Sequence, residues 1–356
     1  MTPDRAVVSC AQALRDPTRF DALIDVRSES EFAEDHLPGA LNLPVLHDAE
    51  RVEVGTLYKQ VSPFDARRRG AVLVARNIAS IVETRLVGMG RDWRPLVYCW
   101  RGGQRSASLA HVLSRIGWSA RQLEGGYKAF RRQVLQELLD LPAHFRFYVV
   151  CGPTGSGKSR LLQQLGLAGA QVLDLEQLAH HRGSVLGGLP SLPQPSQKMF
   201  ETRVWSALRA MNAERPVFVE SESRKVGDLR VPDALIAAMR SSSCVRVDLP
   251  IGERVRLLRD EYVHLEQVPA RLFAQLDCLT PVHGRERVEQ WKALAAAGEW
   301  DALVERLLLE HYDPAYTKSI SRNFTRIDAA HVVALERSAQ AGFTTAAQAL
   351  VATIGS

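Results

Sequence analysis

The stretch Cys151-Gly152-Pro153-Thr154-Gly155-Ser156-Gly157-Lys158-Ser159 has the residue types of a phosphate-binding loop, and it follows the apolar run Phe145-Arg146-Phe147-Tyr148-Val149-Val150. Glycines at 152 and 157 let consecutive backbone N–H groups turn inward around a diphosphate, with Thr154, Gly155 and Ser156 completing the cradle. Lys158 supplies a positive charge, Ser159 a hydroxyl for Mg²⁺, and the helix expected to start here aims its positive end at the same place. A second reactive group lies upstream. Cys99 ends an apolar run and is followed by Trp100-Arg101-Gly102-Gly103-Gln104-Arg105-Ser106 and then by a helical pattern. A sulfur at a helix N-terminus, wrapped by Gly102 and Gly103 and flanked by Arg101 and Arg105, is stabilised as a thiolate or a persulfide-like anion. The plainer alternative is a packed cysteine at a strand end.

Further candidates lie at strand ends downstream. Asp174 and Glu176 follow the run Gln171-Val172-Leu173, where a substrate or metal sits beyond the carboxyl ends of parallel strands; a helix N-terminal acid is the competing reading. Glu220 closes Val217-Phe218-Val219, and Glu222 and Arg224 lie just beyond. Arg182, after His180-His181, is placed to meet a diphosphate or RNA. Arg67-Arg68-Arg69, Arg131-Arg132 and Arg254-Arg256-Arg259 are candidates for an RNA backbone, against the alternative of a solvated face.

The elements that must position these groups follow from periodicity. Ala22–Val26, Pro95–Cys99 and Arg121–Leu123 read as strands, and Ala71–Val87, Ser106–Ile116 and Tyr127–Leu139 as helices. Leu141-Pro142-Ala143-His144 breaks the pattern. From Phe145 a second α/β series starts, with strands at 145–151, 171–174, 217–220 and 244–247 separated by helical stretches, which implies a parallel sheet covered on both faces. Gly183–Pro195, rich in Gly, Pro and Ser, reads as a lid-like loop. Residues 252–312 are helical in pattern, and 329–354 reads as Ala-rich helix. The expected organisation is a first α/β domain over 1–140, a phosphate-loop domain over 145–255 and a mainly helical region over 256–356.

At 356 residues with 46 % hydrophobic and 24 % charged content, the chain has the composition of a globular protein of two or three domains. It has no apolar run of the roughly 18 residues a membrane span needs, and Met1-Thr2-Pro3-Asp4-Arg5 lacks a secretory pattern. Five dispersed cysteines without a CxxC pair argue against a disulfide framework or zinc site and for a reducing cytoplasm. A net charge of +5 permits a polyanionic partner such as RNA without demanding one.

Asp25-Val26-Arg27, Glu31-Phe32, His36-Leu37-Pro38-Gly39-Ala40 and Asn42-Leu43-Pro44 resemble, in order, the N-terminal signatures of a rhodanese domain, and Cys99 then falls at the rhodanese active-site cysteine. Gly102 keeps the usual spacing, whereas Gln104 stands in the usual arginine's slot and Arg105 comes one later. The whole chain resembles the bacterial tRNA 2-selenouridine synthase family, in which a rhodanese domain precedes a P-loop domain. Gly55-Thr56-Leu57-Tyr58-Lys59-Gln60, Glu124-Gly125-Gly126-Tyr127-Lys128, Asp174-Leu175-Glu176, His181-Arg182-Gly183-Ser184, Glu222-Ser223-Arg224 and Tyr312-Asp313-Pro314 carry that resemblance from end to end.

The resemblance implies a rhodanese-like α/β domain, a P-loop NTPase-like parallel-sheet domain and a helical C-terminal region. It implies action on tRNA with wobble 2-thiouridine, alkylation of that sulfur by geranyl diphosphate and replacement by selenium from selenophosphate, with selenophosphate synthetase as a partner. No tightly bound cofactor is implied beyond Mg²⁺ with the diphosphate. Cys99 would act at the selenium step, as carrier of a selenopersulfide or through a loop that binds selenophosphate. A geranyl pocket would be apolar, with Trp100 or the helix Ala71–Val87 as candidate walls. The competing reading is a persulfide carrier fused to an ATP-dependent small-molecule kinase, with Asp174 as base.

Overall fold

The computed structural model describes residues 7–183, 192–266 and 269–354. The chain divides into two compact units, Met1–Glu137 with Pro195–Ser206, and Leu138–Gln194 with Ala207–Ser356. Residues 184–191 of the expected lid lie outside the described residues.

The first unit is built on five strands, β1 (Val7–Val8), β2 (Ala22–Asp25), β3 (Ala40–Asn42), β4 (Pro95–Tyr98) and β5 (Arg121–Leu123), in the order β1-β5-β4-β2-β3. All pairings are parallel, with Ala22 opposite Pro95 and Asp25 opposite Tyr98. β4 is buried at every position, as a central strand covered on both faces must be. The helix Gln104–Ile116 buries Leu109, Ala110 and Leu113 and stops at Gly117, whose φ of +118° favours glycine. The helix Pro63–Arg85 starts earlier than its apolar period suggests. Ser62 caps it by accepting from the Phe64 and Asp65 N–H groups, and Pro63 fits its first turn.

The second unit carries β6 (Phe147–Cys151), β7 (Gln171–Leu173), β8 (Val217–Glu220), a small antiparallel hairpin of β9 (Lys225–Val226) and β10 (Leu229–Arg230), then β11 (Ser243–Asp248) and β12 (His331–Ala334). Its main sheet runs β12-β11-β6-β8-β7, all parallel. The phosphate-binding loop therefore leaves the central strand, with the carboxyl end of β8 beside it.

The segment 329–354 is not one helix. His331–Ala334 is a strand beside β11, and the helix is Gln340–Ile354. Val332 and Val333 suit an edge strand, a preference the surrounding alanines mask in sequence. The helix then turns Phe343, Ala347, Leu350 and Ile354 onto Leu161, Leu162 and Leu165 of helix Lys158–Leu167. A separate helical cluster packs around Leu276, Trp291 and Leu307.

Candidate functional site

In the first unit, Cys99 is 3 % exposed at the end of β4. Its Sγ accepts from the Gly103 backbone N–H at 3.2 Å and from the Ser106 hydroxyl at 3.1 Å. The helix Gln104–Ile116 begins with Gly103 as its cap, so the sulfur lies at a helix N-terminus, as the loop composition predicts. Gln122 of β5 donates to the Gly102 carbonyl, the Gly103 carbonyl and the Ser106 hydroxyl oxygen at 2.8, 3.1 and 2.8 Å, fixing the far side of the loop. Tyr127 and Lys128 N–H groups hold the Cys99 and Trp100 carbonyls. Gly126 is required there: a Cβ would lie 2.2 Å from the Cys99 carbonyl oxygen.

The two arginines of this loop have different surroundings. Arg105 pairs with Glu31 at 2.8 Å, and Arg51 reaches the same carboxylate at 3.1 Å. Arg105, Arg51 and the Ser28 cap hold the Glu31 carboxyl below its ordinary range despite its burial. Arg101 is exposed. Gly103, Ser106 and the helix end are thus the groups that face the sulfur. Composition placed Gly103 in the loop; Ser106 and Gln122 had no role assigned from sequence, because their convergence depends on β5 lying beside β4.

In the second unit, Gly155 and Gly157 adopt φ of +76° and +85°, which the turn of the loop requires. Lys158 Nζ lies 3.6 Å from Glu220, and the Ser159 hydroxyl donates toward Glu220 at 3.1 Å and Glu176 at 3.3 Å. Glu176, Glu220 and Glu222 place carboxylate oxygens within 4.8 Å of one another. Three carboxylates and a hydroxyl are hard oxygen donors, the set that suits Mg²⁺. Burial, and then repulsion from Glu220, pushes the Glu176 carboxyl up to about 10 and that of Glu222 up to about 8. Glu220 is raised as well, by its own burial. Such crowding of like charges is relieved by protons or by a cation.

Asp174 caps the helix Leu175–Ala179, its carboxylate accepting from the Gln177 N–H at 2.8 Å, while it also faces the cleft. Arg182 lines the cleft and donates to the Glu261 carbonyl at 2.7 Å. Arg224 is exposed and is not among the residues lining that cleft. Ser156 is fully buried, and its N–H closes a turn to the Pro153 carbonyl. Thr154 presents its carbonyl to Arg254 at 2.8 and 2.9 Å.

The cleft measures about 1050 Å³. Its lining includes the phosphate-binding loop and the acidic trio. It also includes Leu257 and Leu258, which lie beside Gly157 and Gly155 of the loop, and Tyr312, Tyr316, Ile320 and Phe324, on or directly flanking the helix Asp313–Asn323. In the first unit, the helix Pro63–Arg85 does border an apolar groove of about 990 Å³ with the helix Gln104–Ile116, through Val74, Ile78 and Val82. The arginine clusters are largely neutralised. Arg68 pairs with Asp65, Arg69 with Glu53, Arg131 with Glu201, Arg254 with Asp313, Arg256 with Glu253 and Arg259 with Asp301. No described helix is long and apolar enough to cross a membrane.

Two family models match the chain: a rhodanese-like domain over residues 8–133 and the tRNA 2-selenouridine synthase AAA domain over 145–277. A tRNA 2-selenouridine synthase of Nitrosomonas europaea is 38 % identical over 252 residues, 68 % of this chain. That match spans 63 % of the relative's length. One from Bdellovibrio bacteriovorus is 35 % identical, covering 72 % of this chain and 68 % of the relative. Another, from Alcanivorax borkumensis, is 33 % identical over 335 residues, covering 84 % of this chain and 90 % of the relative.

Proposed function

The chain belongs to the tRNA 2-selenouridine synthase family, and from that membership and the two sites above we propose that it converts wobble 2-thiouridine in tRNA to 2-selenouridine. The reaction we propose has two stages. A thiocarbonyl sulfur is a poor leaving group. Alkylating it with geranyl diphosphate forms a C–S bond, breaks the C–O bond of the donor and releases diphosphate and the N3 proton. The selenium of selenophosphate then adds at C2, geranyl thiolate leaves with the former C–S electron pair and takes up a proton, and water cleaves the P–Se bond to release phosphate and leave selenium on the base.

The observation that carries this reading is the mixed lining of the second-unit cleft. A loop built for a diphosphate shares it with Leu257, Leu258, Tyr312, Tyr316, Ile320 and Phe324. A diphosphate with an apolar tail matches both kinds of lining. The loop N–H groups and Lys158 would stabilise negative charge as it grows on the departing diphosphate. Mg²⁺ on Ser159, Glu220 and neighbouring carboxylates would add further neutralisation. The tail is assigned to this cleft because its apolar side chains and the loop line the same cavity.

The Cys99 site is assigned to the selenium stage. Selenium in selenophosphate already stands at the oxidation level of a selenide, so its transfer to carbon needs no oxidant. That favours Cys99 as an anion-holding group over a selenopersulfide carrier. A kinase would use Asp174 as its base, yet that carboxylate is engaged as a helix cap. ATP labelled at its γ-phosphate tests the assignment: no turnover is expected during product formation, and hydrolysis in step with product would overturn it.

A further inference from the structure

Behind the phosphate-binding loop stands a buried arginine that the reaction above does not use. Arg254 is 6 % exposed, on the helix Ile251–Glu266. Its Nε and Nη2 both donate to the Thr154 carbonyl, at 2.9 and 2.8 Å. Its other edge is taken by Asp313, with Nη1 donating at 3.0 Å and Nη2 at 2.5 Å. These four bonds join one loop carbonyl to one carboxylate through the guanidinium fork.

We propose that Arg254 and Asp313 are a positioning pair that sets the phosphate-binding loop against the helix walling the rest of the cleft. The loop can gather anions only while its N–H groups face inward, which requires its carbonyls to face out; Arg254 holds the Thr154 carbonyl outward. The same helix backs the loop at the next residue, where a Cβ on Gly155 would lie 2.8 Å from Leu258 and 3.2 Å from the Arg254 carbonyl oxygen. Asp313 opens the helix Asp313–Asn323, which carries Tyr316 and Ile320 of the apolar wall, and Tyr312 directly precedes it. One ion pair therefore fixes the relation between the loop that takes phosphates and the wall that takes the remainder of the ligand. It also gives the Tyr312-Asp313-Pro314 motif a task that its sequence does not reveal.

The inference rests on reading the loop as a diphosphate site, and the test separates the two. The probe is inorganic diphosphate with Mg²⁺, titrated calorimetrically into the full chain, alongside thermal melting. Arg254→Lys keeps the charge but not the fork. Replacing both partners (Arg254→Met with Asp313→Met) removes a buried ion pair without stranding a charge, an exchange that folds often tolerate. Both variants are expected to bind diphosphate roughly ten- to hundredfold more weakly than the wild type, the size of a lost charge-assisted hydrogen bond, with the double variant melting near wild type. Wild-type affinity in both variants overturns the positioning role. So does an affinity that falls in Arg254→Lys only alongside its melting temperature and recovers in the double variant. A wild type that does not bind diphosphate overturns the reading of the loop itself, and the pair's role with it.

Discussion

The hydroxyl of Ser106 stands 3.1 Å from the sulfur of Cys99, and Gln122 donates to the same hydroxyl oxygen from 2.8 Å. With its oxygen so occupied, the hydroxyl has its proton free for the sulfur, or for the Gly103 carbonyl at 3.2 Å. An anionic sulfur is the stronger acceptor. Ser106→Ala is therefore expected to slow iodoacetamide labelling of Cys99 at neutral pH about tenfold, the scale of one hydrogen bond to a charged group. Peptide mapping reads Cys99 separately from the exposed Cys278. Melting should change little, since Gln122 retains the Gly102 and Gly103 carbonyls. Unchanged labelling would remove Ser106 from the site.

Gly157 and Phe343 make a second test. A Cβ at Gly157 would lie 2.4 Å from the Phe343 ring, at a φ of +85° that side chains resist. Gly157→Ala is expected to destabilise the chain by about 2–4 kcal/mol in urea unfolding, from overpacking and backbone strain together. Adding Phe343→Leu should recover part of that loss. An equal loss in the single and double variants would assign the whole effect to the backbone.

How much of this was legible in sequence depended on how local the cause was. β6, β8 and β11 announce themselves by apolar, β-branched runs, and the loop by its glycines. β12 does not, because Val332 and Val333 become a strand only by pairing with β11, 86 residues earlier. The arginine clusters read as free charge for the same reason. Asp65 and Glu253 lie only three residues from Arg68 and Arg256, but the other acids are distant in sequence: Glu53 lies 16 residues from Arg69, Asp301 42 from Arg259 and Asp313 59 from Arg254. Glu220 and Glu222 were legible as strand-end acids; that Glu176 joins them follows from the adjacency of β7 and β8.

The acidic trio predicts a pH dependence. Unfolded glutamates titrate near 4.5, whereas the folded chain raises Glu222 to about 8 and Glu176 to about 10. Across that window the folded chain holds protons the unfolded chain releases, so stability falls as pH rises. A divalent cation replaces those protons. Mg²⁺ should therefore raise the melting temperature more at about pH 8.5 than at about pH 6. Equal increments at both would contradict a carboxylate cation site, and Glu220→Gln should shrink the difference.

The proposed division of labour between Cys99 and the phosphate-binding loop is tested most directly by mass spectrometry of the wobble nucleoside. The tRNA would carry 2-thiouridine, and the enzyme would receive geranyl diphosphate and Mg²⁺, with and without selenophosphate. The wild type should yield S-geranyl-2-thiouridine alone and 2-selenouridine when selenophosphate is added. Cys99→Ala should stop at the geranylated nucleoside, and Lys158→Ala should lose most of both products. Selenouridine formed by Cys99→Ala at the wild-type rate, or geranylation undiminished in Lys158→Ala, would contradict the account.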